Sequence, residues 1–197
     1  MLLDSTRPIG EALNTINGHP EISAGVLLQC HEATPSWYAL RATYSRELKV
    51  QAELSDRGVR TFVPMMWRDK KLVPAVSNLI FVYTTRETLD SYIRSFGEDR
   101  PVNYYWDRTT NRPLTVPDKD MENFIAVASR LDEDLIYLTE ISAKLREGQK
   151  VIVKDGPFKG VEGKVVRIRK SRRIMVEIPG MLAVASTYVS PDELEII

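Results

Sequence analysis

The stretch from Lys150 to Ile168, KVIVKDGPFKGVEGKVVRI, constrains this chain more than any other. Two short alternating apolar runs flank a loop that holds Gly156, Pro157, Gly160 and Gly163. Period-two alternation is the mark of a strand. Proline presets φ in a turn, and glycine admits positive φ or close backbone approach. The segment therefore predicts a tight β-hairpin in a small barrel. Phe158 stands in the loop, where solvent is expected, and reads as a partly exposed aromatic anchor for a partner. Later apolar segments (IMVEI, AVASTYV, LEII) are equally short and rich in β-branched residues, so 146–197 reads as a small β-barrel.

The preceding part of the chain has a different pattern. Trp37–Ala42 is strand-like, and Tyr44, Leu48 and Ala52 follow at helical spacing, with Thr43 or Ser45 as cap and Gly58 as stop. Val59–Val63 reads as a strand, and WRDKKLV (67–73) as a polar connecting segment. The continuous apolar run NLIFVY (78–83) is the expected central strand. Leu89, Tyr92, Ile93 and Phe96 mark a second helix between Thr85 and Gly97, Val102–Trp106 a strand, and Asp118–Ser129 a third helix. The order β-α-β-β-α-β-α predicts an α+β domain, with helices against an antiparallel sheet. Residues 1–34 show no sustained period and are expected to be a poorly ordered extension. The expected organisation is an α+β domain over 35–131, a linker over 132–145 and a barrel over 146–197.

Composition narrows the function classes. The net charge is zero, yet between Lys150 and Arg173 nine basic residues stand against two acidic ones, a local charge of +7. Such a patch can attract a polyanion, although basic residues on exposed β-turns also serve to keep edges from aggregating. One cysteine excludes an internal disulfide. Cys30, His31 and Glu32 are adjacent, but neighbours rarely converge on one ion, so no metal is expected. No Ser/His/Asp set or phosphate loop is present, so no catalytic residue, cofactor or enzymatic activity is expected. No apolar run spans a bilayer and no basic-then-apolar leader opens the chain; a cytoplasmic monomer is expected.

The glycine-rich hairpin resembles the KOW motif, with Gly160 on its characteristic glycine. Together with Trp37-Tyr38, Phe62-Val63-Pro64, SNLIFV (77–82) and PLTVPDKDMENF (113–124), it resembles the NusG family over Trp37–Ile197. LRATYSREL (40–48) and IPGMLAVASTYVSP (178–191) look closest to the UpxY antiterminators of capsular polysaccharide operons, which are specialised, RfaH-like NusG paralogues.

The resemblance implies a NusG-type domain and a KOW, SH3-like barrel in a non-enzymatic factor that rides on RNA polymerase. An oily, uncovered sheet face would dock on the polymerase clamp helices through Arg41, Val76, Leu79 and Phe81. Asp90, Ser91 and Tyr92 occupy the gate-loop position, where RfaH has a different triplet. Tyr44, Arg46 and Lys49 lie where RfaH-like proteins read non-template DNA, and the nascent RNA is a further nucleic-acid neighbour. Phe158, Lys159, Gly160 and Pro179 would receive a ribosomal protein or a termination factor. Two rival readings are a housekeeping NusG and an RNA-binding, ribosome-associated KOW protein. Refolding of the barrel as helices is not expected, given its β-branched residues.

Overall fold

The computed structural model describes residues 34–140 and 148–197. The expectation for the N-terminal extension lies outside the described residues except at Thr34. Strand β1 (Ser36–Ala42) is the centre of the first domain. It pairs antiparallel with β5 (Leu79–Thr84), β6 (Val102–Tyr104) and β9 (Thr115–Val116), and β2 (Arg60–Phe62) extends β5. NLIFVY thus lies inside the sheet, as a continuous apolar run requires.

Strand alternation divides β5 between two cores. Ile80 and Val82 pack with Val50 and Leu54 of α1 (Glu47–Asp56) and with Leu89, Tyr92 and Ile93 of α2 (Arg86–Arg94). Leu79 and Phe81 face the other way, into a cluster with Met121, Phe124 and Val127 of α3 (Asp118–Ala128). Both sheet faces are covered. The expectation of an uncovered apolar face is corrected here: Leu79 is 1 % exposed and Phe81 0 %. Each buried side chain of this size contributes about 1.5–3 kcal/mol, a strong physical reason for the sheet not to stay bare.

The helices largely follow their sequence signals. Thr85 caps α2 by accepting the Thr88 N–H at 3.4 Å, and Gly97 follows its end at φ +63°. Entry to α1 differs from the expectation. Neither Thr43 nor Ser45 caps it; the N-cap is Arg46, reached through Tyr44 and Ser45, both left-handed. The polar segment 67–73 is also corrected. It belongs to a hairpin of β3 (Met65–Arg68) and β4 (Lys71–Pro74), whose turn residues Asp69 and Lys70 both take positive φ. A second two-stranded ribbon joins β7 (Trp106–Asp107) to β8 (Arg112–Pro113).

The C-terminal β-domain is one antiparallel sheet in the order β10-β14-β13-β12-β11-β15. These strands are β10 (Ile136–Leu138), β11 (Lys150–Val153), β12 (Glu162–Ile168), β13 (Ser171–Ile178), β14 (Leu182–Ala185) and β15 (Leu194–Ile196). The segment expected as a linker contributes β10, which pairs with β14. Gly163 marks a close approach: a Cβ there would stand 2.6 Å from Ile174 Cγ2 and 2.7 Å from the Met175 carbonyl oxygen.

The two domains touch. Helix α3 lies against the sheet of the first domain and against β13 and β14 of the second. Phe124 is the hub, with ring centroids 5.9 Å from Phe81, 6.2 Å from Phe62 and 6.5 Å from Tyr137. Around it Asn123 Oδ1 accepts the Glu162 N–H at 3.1 Å, Lys119 Nζ pairs with Glu162 at 3.2 Å, and the Tyr137 hydroxyl donates to the Met65 carbonyl at 3.1 Å. One hydrophobic cluster runs from Leu79 and Phe81 through Phe124 to Val151, Ile174 and Val176.

Candidate functional site

The exposed end of β1 gathers several of the expected residues. Arg41 is exposed and sits directly opposite Leu79 in the β1–β5 register. The next residue, Ala42, donates its N–H to the Asn78 carbonyl at 2.9 Å, and Asn78 Oδ1 accepts the Ser45 N–H at 3.1 Å. This holds the β1–α1 turn rigidly beside the end of β5. Val76, half-buried, packs against the cluster that contains Leu79 and Phe81. The accessible surface here is therefore Arg41 and the edge of Val76, with Leu79 and Phe81 as a covered floor.

The same turn presents Tyr44, 82 % exposed at φ +60°. A tyrosine in the left-handed region is costly, and such strain persists only where the surroundings fix it. Arg46 Cζ lies 5.6 Å from the centre of the Tyr44 ring, and Lys49 is exposed, with a 3.9 Å contact to Glu53. An aromatic face and two cations at a braced turn can stack on a base and neutralise phosphates. Tyr44, Arg46 and Lys49 are thus brought together, close to Arg41.

Asp90, Ser91 and Tyr92 form a different environment, on the α2 side of the sheet. Ser91 is exposed, but the other two are engaged. Asp90 accepts the Tyr104 hydroxyl at 3.0 Å and contacts Arg86 at 3.6 Å. Tyr92 is buried and donates its hydroxyl to Glu53 at 2.8 Å. Burial, reinforced by the adjacent carboxylates, pushes the phenols of Tyr92 and Tyr104 well above the ordinary tyrosine range.

In the second domain, Phe158 departs from its expected exposure. It is 3 % exposed, part of the cluster shared by both domains, with Arg130 Cζ 5.7 Å from its ring centre. Val161 N–H bonds the Phe158 carbonyl at 3.0 Å and Gly160 N–H bonds the Val153 carbonyl at 2.8 Å, so the loop folds back and carries the ring inward. Lys159 and Gly160 remain exposed, the latter at φ +85°. Pro179 is exposed about 20 residues from that loop in sequence, in the β13–β14 turn. There it lines a cleft of about 940 Å³ with Arg41, Trp106 and Met181. The cleft brings Pro179 and Arg41 together across the domain junction.

Two features had no counterpart in the sequence reading. Trp106 is 54 % exposed at the cleft, a position that a strand pattern alone does not disclose. Asn123 had drawn no attention, because a polar residue on an amphipathic helix normally faces water; here it is 7 % exposed and bonded to the other domain.

A sheet covered on both faces, joined through one helix to an all-β domain, defines a two-domain α+β protein that offers braced turns and a junctional cleft for binding. Residues 35–125 match the family model described as transcription termination factor nusG, and residues 147–177 match the KOW motif. The chain thus carries a NusG-type domain followed by a KOW motif. A solved structure titled "Domain interaction in Thermotoga maritima NusG" aligns with 83 % of this chain and 98 % of its own, at 18 % identity and a TM-score of 0.46. No curated protein matches the chain. Among the described residues no helix is long and apolar enough to cross a membrane.

Proposed function

We propose that this chain is a specialised NusG paralogue of UpxY type, which binds transcribing RNA polymerase and promotes read-through of long polysaccharide-biosynthesis operons. The family match over the first domain and the KOW motif on the same chain carry the reading. Its mechanism is binding alone. Arg41 and Val76 make first contact with the clamp helices, beside a turn where Tyr44, Arg46 and Lys49 meet the exposed DNA strand. Leu79 and Phe81 join that contact only when α3, together with the C-terminal domain packed on it, moves off the sheet. Ser91 is the accessible member of the gate-loop trio. Lys159, Gly160 and Pro179 offer the KOW contact, and Phe158 would join it only by leaving its buried site.

Capture of polymerase by the purified chain, followed by single-round transcription across a terminator, tests this. Wild type binds and raises read-through, whereas Arg41→Glu weakens both at unchanged thermal stability. Equal capture by wild type and variant would move the polymerase contact elsewhere. Chromosome-wide occupancy confined to a few operons supports the specialised role; uniform occupancy would make the chain a housekeeping factor.

A further inference from the structure

We propose that the cleft at the domain junction is a binding site for a nucleoside diphosphate, free or carrying a sugar. The cleft measures about 940 Å³. Small-molecule sites span about 300–1,000 Å³ and favour domain boundaries. One wall is the β7–β8 ribbon, with Trp106 and Arg108, and the other is the β13–β14 turn, with Pro179 and Met181. Arg41 enters from β1. The ribbon is tied to that strand: the Tyr105 N–H donates to the Ala39 carbonyl at 3.0 Å, and the Ala39 N–H to the Leu114 carbonyl at 3.2 Å. Sheet backbone, rather than a free loop, therefore holds the first wall.

Trp106 supplies a platform for a flat base. Its indole is 54 % exposed, yet the Tyr104 ring meets it edge-on at a centroid distance of 6.5 Å, and the Tyr104 hydroxyl is anchored on Asp90 at 3.0 Å. A braced, exposed ring suits stacking on any base, because every base has a π-face.

The charges fit a diphosphate. Arg41 and Arg108 both line the cleft, and among the described residues neither makes an ion pair. The one acidic group among the described lining residues, Asp107, is committed to its own turn: Oδ1 accepts the Thr109 N–H and Oδ2 the Thr110 hydroxyl, both at 2.8 Å. Burial raises the Tyr105 phenol while the Arg41 guanidinium opposes that rise, so the Arg41 charge is felt inside the cleft. Guanidinium forks pair bidentately with phosphate oxygens, and two of them match the two phosphates. Gly180, at φ +76°, has no atom within 4 Å of a Cβ built on it, which leaves room at the rim for a sugar. A ligand here touches both domains and covers Arg41, so it excludes polymerase. That consequence rests on the function proposed above, whereas the site does not. Linkage makes the exclusion reciprocal.

Isothermal titration calorimetry of the full chain, without polymerase, tests the site with ADP, UDP and UDP-glucose. These should bind more tightly than uridine or inorganic pyrophosphate, each of which offers half of the chemistry. UDP-glucose binding more tightly than UDP identifies the sugar ester as the ligand, and the reverse order the free nucleotide. Trp106→Ala should weaken binding roughly 5- to 160-fold, the range of one base stack, and Trp106→Phe should restore most of it. Arg108→Gln should weaken it roughly 10- to 160-fold, the range of a hydrogen bond to a charged group. Circular dichroism should be unchanged in all three variants. No binding of any nucleotide, pyrophosphate binding as tightly as the nucleotides, or Trp106→Ala and Arg108→Gln binding like wild type would each overturn the assignment. In a separate capture assay, saturating nucleotide should reduce retention of polymerase. Undiminished capture would refute the competition, and a chain that binds nucleotide but never polymerase would refute the proposed function instead.

Discussion

Asn123→Ala gives the sharpest test of the domain junction. The Asn123 side chain accepts the Glu162 N–H across the interface at 3.1 Å and is almost fully buried. In the closed form the variant leaves that amide without its partner; in an open form water replaces it. An unsatisfied buried donor costs about 1–3 kcal/mol, which multiplies the open-to-closed ratio by roughly 5 to 160. The neighbouring Lys119–Glu162 pair is too exposed to compensate, since such pairs contribute about 0–1 kcal/mol. ¹⁵N relaxation reads the result directly: two domains that tumble together in wild type should show separate, shorter correlation times in the variant. If polymerase takes only the open form, its apparent affinity rises by up to the same factor, because affinity scales with the competent fraction. Unchanged tumbling would refute the weight given to this hydrogen bond. Freed domains with unchanged polymerase affinity would instead refute the link between opening and binding.

Other consequences follow from the same packing. Gly163→Ala drives a methyl into the Ile174 side chain and the Met175 carbonyl; overpacking of this kind costs about 1–3 kcal/mol, visible as a lower urea midpoint, and a neutral result would mean that β12 shifts freely. Phe124→Ala removes the hub of three aromatic contacts, and a loss of about 3–5 kcal/mol is expected in equilibrium unfolding; a loss below about 1 kcal/mol would show that the cluster relaxes around the gap. Burial pushes the Tyr137 phenol up to about 12 from its ordinary 10.0. A raised folded value means stability that is full below pH 10 and is lost as pH climbs toward 12. Ultraviolet titration should show late-ionising tyrosines, one of which, near 12, is missing in Tyr137→Phe.

The sequence was most informative where local physics decides the outcome. The Leu89–Tyr92–Ile93 spacing with Thr85 and Gly97 marks α2 because periodicity, cap and stop agree within one segment. The loop glycines of the KOW segment behave as their chemistry demands, Gly156 and Gly160 by positive φ and Gly163 by close approach. The β3–β4 hairpin was hidden because Asp69 and Lys70 make its turn without glycine. Phe158 was read in the opposite sense to its burial, and the exposure of Trp106 was not foreseen, since each depends on a remote neighbour. Arg130 and the shared cluster cover Phe158, while β7 pairs with β8 in a ribbon that leaves Trp106 at the cleft. The junction over Leu79 and Phe81 is likewise a tertiary event that no local pattern encodes. One consequence is practical: Phe81→Asp would probe the core, so the exposed Arg41 is the proper surface probe.

A cryo-EM reconstruction of the chain on transcribing RNA polymerase tests the central claim most directly. The first domain should be seated on the clamp helices through Arg41 and Val76, with the C-terminal domain detached and α3 lifted from Leu79 and Phe81, which then face the polymerase. A chain that forms no complex, or that docks through another face with both domains still closed on α3, would contradict it.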